Sequence, residues 1–112
     1  MKRPHLNRKL VLEAPQAVSD GAGGLIEGWT KLGVVWAEVK SRTGRADNGE
    51  AGTLSKVALR ITLRASPVGT SSRPQAGQRF CEGTRLYRID AVTFGDPGGR
   101  YLVCHTTEEV AA

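Results

Sequence analysis

The sequence predicts an all-β chain, a small β-barrel of about six or seven strands with one long exposed loop. Three observations carry that prediction. Residues 54–66 alternate apolar and polar without a break, which is the period of a strand with one buried face. No segment keeps a 3.6-residue apolar period over three turns, so no amphipathic helix is expected. The 14 glycines and 5 prolines cluster between the alternating runs, where turns need a positive φ or a missing donor. Short strands at this spacing make a barrel or a sandwich.

Taken in order, residues 1–9 read as a basic N-terminal arm. Lys2, Arg3, Arg8 and Lys9 surround Pro4, a pattern shared by arms that touch a polyanion or a neighbouring subunit and by plain solvated termini. Residues 10–14 form a short strand stopped at Pro15, which has no donor for a ladder. Residues 20–39 read as a β-hairpin entered through a glycine turn at Gly21, Gly23 and Gly24, with Lys31-Leu32-Gly33 as its reversal. Val35, Ala37 and Val39 fall on one side of it, and Val34, Trp36 and Glu38 on the other. Trp29 has two readings there, a core residue, which its size favours, and an outward anchor at an interface.

Residues 40–53 carry Gly44, the pair Asn48-Gly49 and Gly52, with almost nothing to bury. They read as the long exposed loop, and a structureless loop of that length in a small domain is usually functional. Lys40, Arg42 and Arg45 make its start basic. In residues 54–66, Val57, Leu59, Ile61, Leu63 and Ala65 form an apolar face, while Lys56, Arg60 and Arg64 form a cationic stripe on the other. That stripe suits phosphate or an acidic neighbour, and it equally suits a solvated face whose charges discourage edge pairing. A second loop over 67–77 precedes a short strand over 78–82. A strand over 85–94 follows, with Tyr87, Ile89 and Ala91 on one face. A five-residue turn over 95–99 joins it to a last strand over 100–106, and Glu108 and Glu109 begin a polar tail. Residues 10–109 make one domain, and 110–112 trail behind it.

A chain of 112 residues buries roughly two-thirds of its unfolded surface. With 39% hydrophobic residues, its core is thin, which suggests that assembly contributes stability. The net charge of +5 favours a polyanionic neighbour. Cys81 and Cys104 lie outside any CxxC spacing and read as two buried free thiols, with one inter-strand disulfide as the alternative. Leu10, Val11 and Leu12 are too short a run for a secretory apolar region, and no segment is long enough to span a membrane, so no membrane partner is expected.

The chemistry of catalysis is not legible. The histidines are His5, in the arm, and His105, whose neighbour Cys104 must point to the opposite face of a strand. Gly21, Gly23 and Gly24 fail as a dinucleotide fingerprint, because Ile26 stands where the last glycine belongs and no helix follows. Residues 51–56 lack the ending of a phosphate loop. Asp20, Glu27 and Glu38 are too scattered to hold a metal. Neither an enzyme, a metal site nor a cofactor is expected.

Several pieces in fixed order resemble the head–tail joining proteins of long-tailed bacteriophages: Leu10-Val11-Leu12-Glu13 before a proline, Asp20-x-x-Gly23-Gly24, Trp29, and Val35-Trp36-Ala37-Glu38-Val39. A strand bearing Arg60 and Arg64, then Gly83-Thr84-Arg85-Leu86-Tyr87-Arg88-Ile89, extend the likeness over about residues 8–109. The resemblance implies a small barrel of the head-closure or stopper type, assembled as a ring, typically a hexamer. Such a ring sits in the virion neck of a phage or gene transfer agent particle, after assembly in the bacterial cytoplasm. Its partners would be itself, the portal and adaptor proteins, the tail terminator or tail tube, and packaged double-stranded DNA. It further implies that the loop with Lys40, Arg42, Arg45, Asn48 and Gly49 enters the DNA channel, where cations meet phosphates without reading sequence. Two alternatives stand beside it: a tail terminator or other neck ring, and a monomeric nucleic-acid-binding barrel using Lys56, Arg60 and Arg64. The second is weakened because the stripe offers no aromatic on which bases could stack.

Overall fold

The uninterrupted alternation of residues 54–64 lays down one strand with its apolar side turned inward, and the other strands pair outward from it. The computed structural model describes residues 3–48 and 54–111. Among them run β1 (Arg8–Ser19), β2 (Leu25–Asn48), β3 (Leu54–Arg64), β4 (Arg79–Glu82), β5 (Arg85–Phe94) and β6 (Tyr101–Ala111). All are antiparallel to their neighbours and close into a barrel in the order β1-β2-β3-β6-β5-β4. Closure leaves the barrel itself without a free edge.

The core is small. Leu10 and Leu12 of β1, Leu59, Ile61 and Leu63 of β3, Phe80, Tyr87 and Ile89, and Leu102 of β6 fill the interior. Neither tryptophan joins them: Trp29 is 40% exposed and Trp36 55% exposed. The core reading of Trp29 is therefore corrected. Its strand has left the barrel where it stands, so no opposing sheet covers it.

Where β1 meets β2, the structure differs from the expectation in two linked ways. β2 runs unbroken through Lys31-Leu32-Gly33; Leu12 faces Gly33 and Glu13 faces Lys31, so Leu32 is taken up as a β-bulge rather than a reversal. The true reversal is the glycine cluster. Asp20 Oδ1 accepts hydrogen bonds from the amides of Ala22 (2.8 Å) and Gly24 (3.0 Å), and Gly21 and Gly23 sit at φ 81° and 87°, which only glycine adopts without strain. β1 correspondingly runs through Pro15, which faces Trp29. β4 pairs with β1 only from Val11 to Glu13, so at Pro15 the strand has a single neighbour and can spare a donor.

Three further boundaries move. Residues 40–48 are strand, not loop: Lys40 pairs with Arg60 and Ser41 with Leu59, and pairing resumes at Ala46 opposite Val57 after an irregularity. Pairing with well-patterned β3 on both sides of residues 42–45 carries the strand through the Gly44 region despite its weak propensity. Residues 49–53, Gly49 among them, lie outside the described residues. In β5, Ile89 faces Thr106 and Ala91 faces His105, so Asp90 is an extra residue. The bulge turns Ala91 outward and lets Val92 pack against the core instead. β6 continues to Ala111, and Glu108 within it is buried, not part of a polar tail. Its hairpin with β5 closes on Asp96 Oδ1, which accepts from the amides of Arg100 (2.9 Å) and Tyr101 (3.0 Å).

One consequence of these registers shapes the surface. β2 pairs with β3 only from Ala37 onward, and β1 leaves β4 after Glu13. Residues 14–19 and 25–30 therefore pair only with each other, a two-stranded ribbon projecting from a molecule 53 × 38 × 21 Å across. Two strands alone are marginal in water.

Candidate assembly interface

The ribbon has two unlike faces. Paired residues share a face in an antiparallel ladder, so Val18 stands beside Ile26 on one side, and Pro15 beside Trp29 on the other. The Trp29 side is tied back to the barrel. Arg79 of β4 lies with its guanidinium 4.0 Å from the Trp29 ring centre and donates to Glu13 Oε1 at 2.7 Å, a stacked cation worth about 0.5–2 kcal/mol. The Cys81 thiol donates to the same carboxylate oxygen at 2.9 Å. That bond, then Arg79, holds Glu13 below the usual carboxylate range. The opposite side has no such tether: Val18 is 51% and Ile26 57% exposed.

At the mouth of the barrel near the start of β1, charged groups interlock. Arg8 forms a two-pronged pair with Glu82, its Nε at 2.6 Å from Oε2, and Tyr87 donates its hydroxyl to Glu82 Oε1 at 2.9 Å. Arg85 grips Glu108 through Nε and Nη2 at 2.8 and 2.9 Å, with its guanidinium 5.2 Å from the Tyr87 ring centre. Hydrogen bonding from Arg8 keeps Glu82 low, while burial and the bond to Glu82 push the Tyr87 hydroxyl up to about 12. Nothing in the sequence spacing signals this network, because its members come from β1, β4, β5 and β6 and meet only through register.

The predicted cations fall into two groups. Lys56, Arg60 and Arg64 are exposed on the outer face of β3, and Lys40 is exposed beside Arg60 on β2. Lys40 also lies 3.6 Å from Glu38. At the far end Lys56 stands between register positions Asp47 and Glu109, so positive charge concentrates around Arg60 and Arg64. Arg42, Arg45 and Asn48 belong to β2, and their side chains, like Gly49, lie outside what is described. One feature corrects the view of the stripe as free of aromatics: exposed Trp36 and Arg64 line the same groove of about 350 Å³. That groove opens in the fork where β2 parts from β3.

Both cysteines are free. Burial pushes the Cys104 thiol up to about 12, and burial followed by the Glu13 bond pushes Cys81 up to about 11. Each is therefore a protonated, weak nucleophile near neutral pH. His105 Nε2 lies 3.1 Å from Thr93 Oγ1 on the outer surface, across the strand from Cys104. Among the described residues no group of three or more His, Cys, Asp or Glu is placed to hold a metal.

A sequence profile described as phage head completion protein matches residues 1–109. Among solved structures, a chain from the virion of a native gene transfer agent (GTA) particle superposes with a TM-score of 0.84 at 50% identity, covering 98% of this chain and 100% of that one. No curated protein matches.

Proposed function

The chain belongs to the phage head completion protein family, and from that premise we propose that it is a structural subunit of the neck of a tailed phage or gene transfer agent particle. The observation that carries this reading is the end-to-end, 50% identical likeness to a chain of a gene transfer agent virion. In this reading copies of the barrel assemble as a ring, six to a turn by analogy with stopper rings, after the head has been filled. The ring seats on the portal and adaptor, holds the DNA in, and offers its other side to the tail.

The fold supports an assembly subunit on physical grounds. A thin core, an unsupported ribbon and four apolar residues of the ribbon left 40–74% exposed (Val18, Leu25, Ile26 and Trp29) make a monomer whose surface is incomplete. The β2–β3 hairpin carries the charge that suits the channel. Lys40 and Arg60 stand side by side, with Arg42 and Arg45 further along β2, so a strand-borne hairpin rather than a loop would face the phosphates.

Two experiments test the reading. Deleting the gene should leave filled heads that lose DNA and fail to accept tails, and tailed, infective or transducing particles made without the protein would refute it. Replacing Lys40, Arg42 and Arg45 together with serine should let packaged DNA escape, with particles otherwise assembled. Unchanged DNA retention would remove the hairpin from the channel.

A further inference from the structure

The ribbon and the groove at the β2–β3 fork are two unsatisfied surfaces of one chain, and they match in kind. On the ribbon, Val18 and Ile26 present a bare apolar pair, and residues 14–30 contain Asp20 and Glu27 but no Lys or Arg. The ribbon thus carries a formal charge of −2 on a chain of +5, leaving the remainder at +7. The groove is lined by Leu6, Val35, Trp36, Leu63, Ala65 and the exposed Arg64. It is apolar with a cationic rim, and its volume of about 350 Å³ takes more than one aliphatic side chain. Ser66, in the same lining, keeps its Oγ buried without a hydrogen-bond partner.

A chain cannot fill its own groove. Ile26 lies ten residues along β2 from Trp36, about 33 Å at the strand rise, and the ladder with β1 and the Arg79 clamp on Trp29 point the ribbon away from the fork. We infer that the ribbon of one copy docks into the groove of the next, Val18 and Ile26 entering between Trp36 and Ala65. The two surfaces differ, so the contact is head-to-tail, the type that closes into a ring when the rotation per copy allows. The Arg79–Trp29–Glu13 clamp fixes the ribbon's exit angle before docking and so lowers the ordering cost of the contact. This inference rests on the proposed ring and names the surface that holds it.

The test uses intact particles carrying paired cysteines. Ile26→Cys with Ala65→Cys, and separately Val18→Cys with Ser72→Cys, a residue of the same groove lining, are introduced into the full chain, and particles are exposed to mild oxidant before denaturing electrophoresis. Docking as inferred gives a ladder of covalent multimers of this chain with at least one double variant and only monomer with each single variant. Dimers from Ile26→Cys alone would mean a symmetric contact and overturn the inference. So would disulfides to a different virion protein, or no ladder from either double variant. Tailed particles that retain DNA while giving no ladder would overturn the docking surface and leave the neck role standing; loss of the neck role itself is read from the gene deletion.

Discussion

Replacing Arg85 with alanine removes both donors that hold Glu108, a carboxylate whose side chain is only 7% exposed. The guanidinium itself is half exposed, so its own desolvation contributes little, and the cost lies with the partner left behind. Orphaning a buried, hydrogen-bonded carboxylate costs about 2–3 kcal/mol, and losing the stacked cation over Tyr87 adds about 0.5 kcal/mol. With an unfolding entropy of about 2.1 cal/mol/K per residue, a chain of this length loses about 11–15 °C of Tm for that penalty. Substituting Glu108→Leu in the same molecule removes the stranded charge and fills the space, so the double variant should recover half or more of the loss. Reversible thermal melts followed by circular dichroism and calorimetry measure both. A single variant that melts within about 3 °C of the parent, or a double variant no more stable than the single, would show that Arg85 and Glu108 do not clamp the mouth of the barrel.

Stability should depend on acid through Glu13 and Glu82, both held below their ordinary value. Their contribution is present above the unfolded value near 4.5 and is lost as pH falls through the lower folded values; urea midpoints at descending pH measure it, and Arg8→Gln should flatten the dependence. At the other extreme Tyr87 is raised from 10 to about 12, so its contribution holds below pH 10 and disappears as pH rises through about 12. Tyr87→Phe should remove that part of the alkaline decline. At the ribbon tip, a Cβ on Gly24 would stand 2.6 Å from Asp20 Oδ2, so Gly24→Ala should displace the carboxylate that organises the turn. Amide exchange should quicken over residues 17–27 while the core melts within about 2 °C of the parent, since the ribbon adds little to barrel packing.

The sequence disclosed those strands whose pattern and pairing agree. β5 begins and ends where its alternation does, and β3 keeps every predicted face, because both lie between two partners and contain the residues that pack. It misled where one residue disturbs the period. Leu32 and Asp90 are bulges, and a bulge looks locally like a turn or a face change until the partner strand is known. Pro15 reads as a stop because its missing donor is costly in a sheet interior, and whether β1 is interior there depends on how far β4 runs. Trp29 was misplaced for a related reason: size favours burial only when an opposing surface exists, and the ribbon has none. The Arg85–Glu108 and Arg8–Glu82 pairs span 23 and 74 residues and become visible only once strand order is fixed. The stripe of Lys56, Arg60 and Arg64 was legible from period alone, while the groove beside it, made by the arm, β2 and the segment after β3, was not.

The most direct test of the neck assignment is a density map of intact particles, at a resolution that traces strands, with this chain fitted at the junction of head and tail. The expected map shows a closed ring of copies below the portal and adaptor, each ribbon seated in the fork of its neighbour and the β2–β3 hairpins turned toward the DNA. A map that places the chain elsewhere in the particle, or finds it as an isolated copy at the junction, would contradict it.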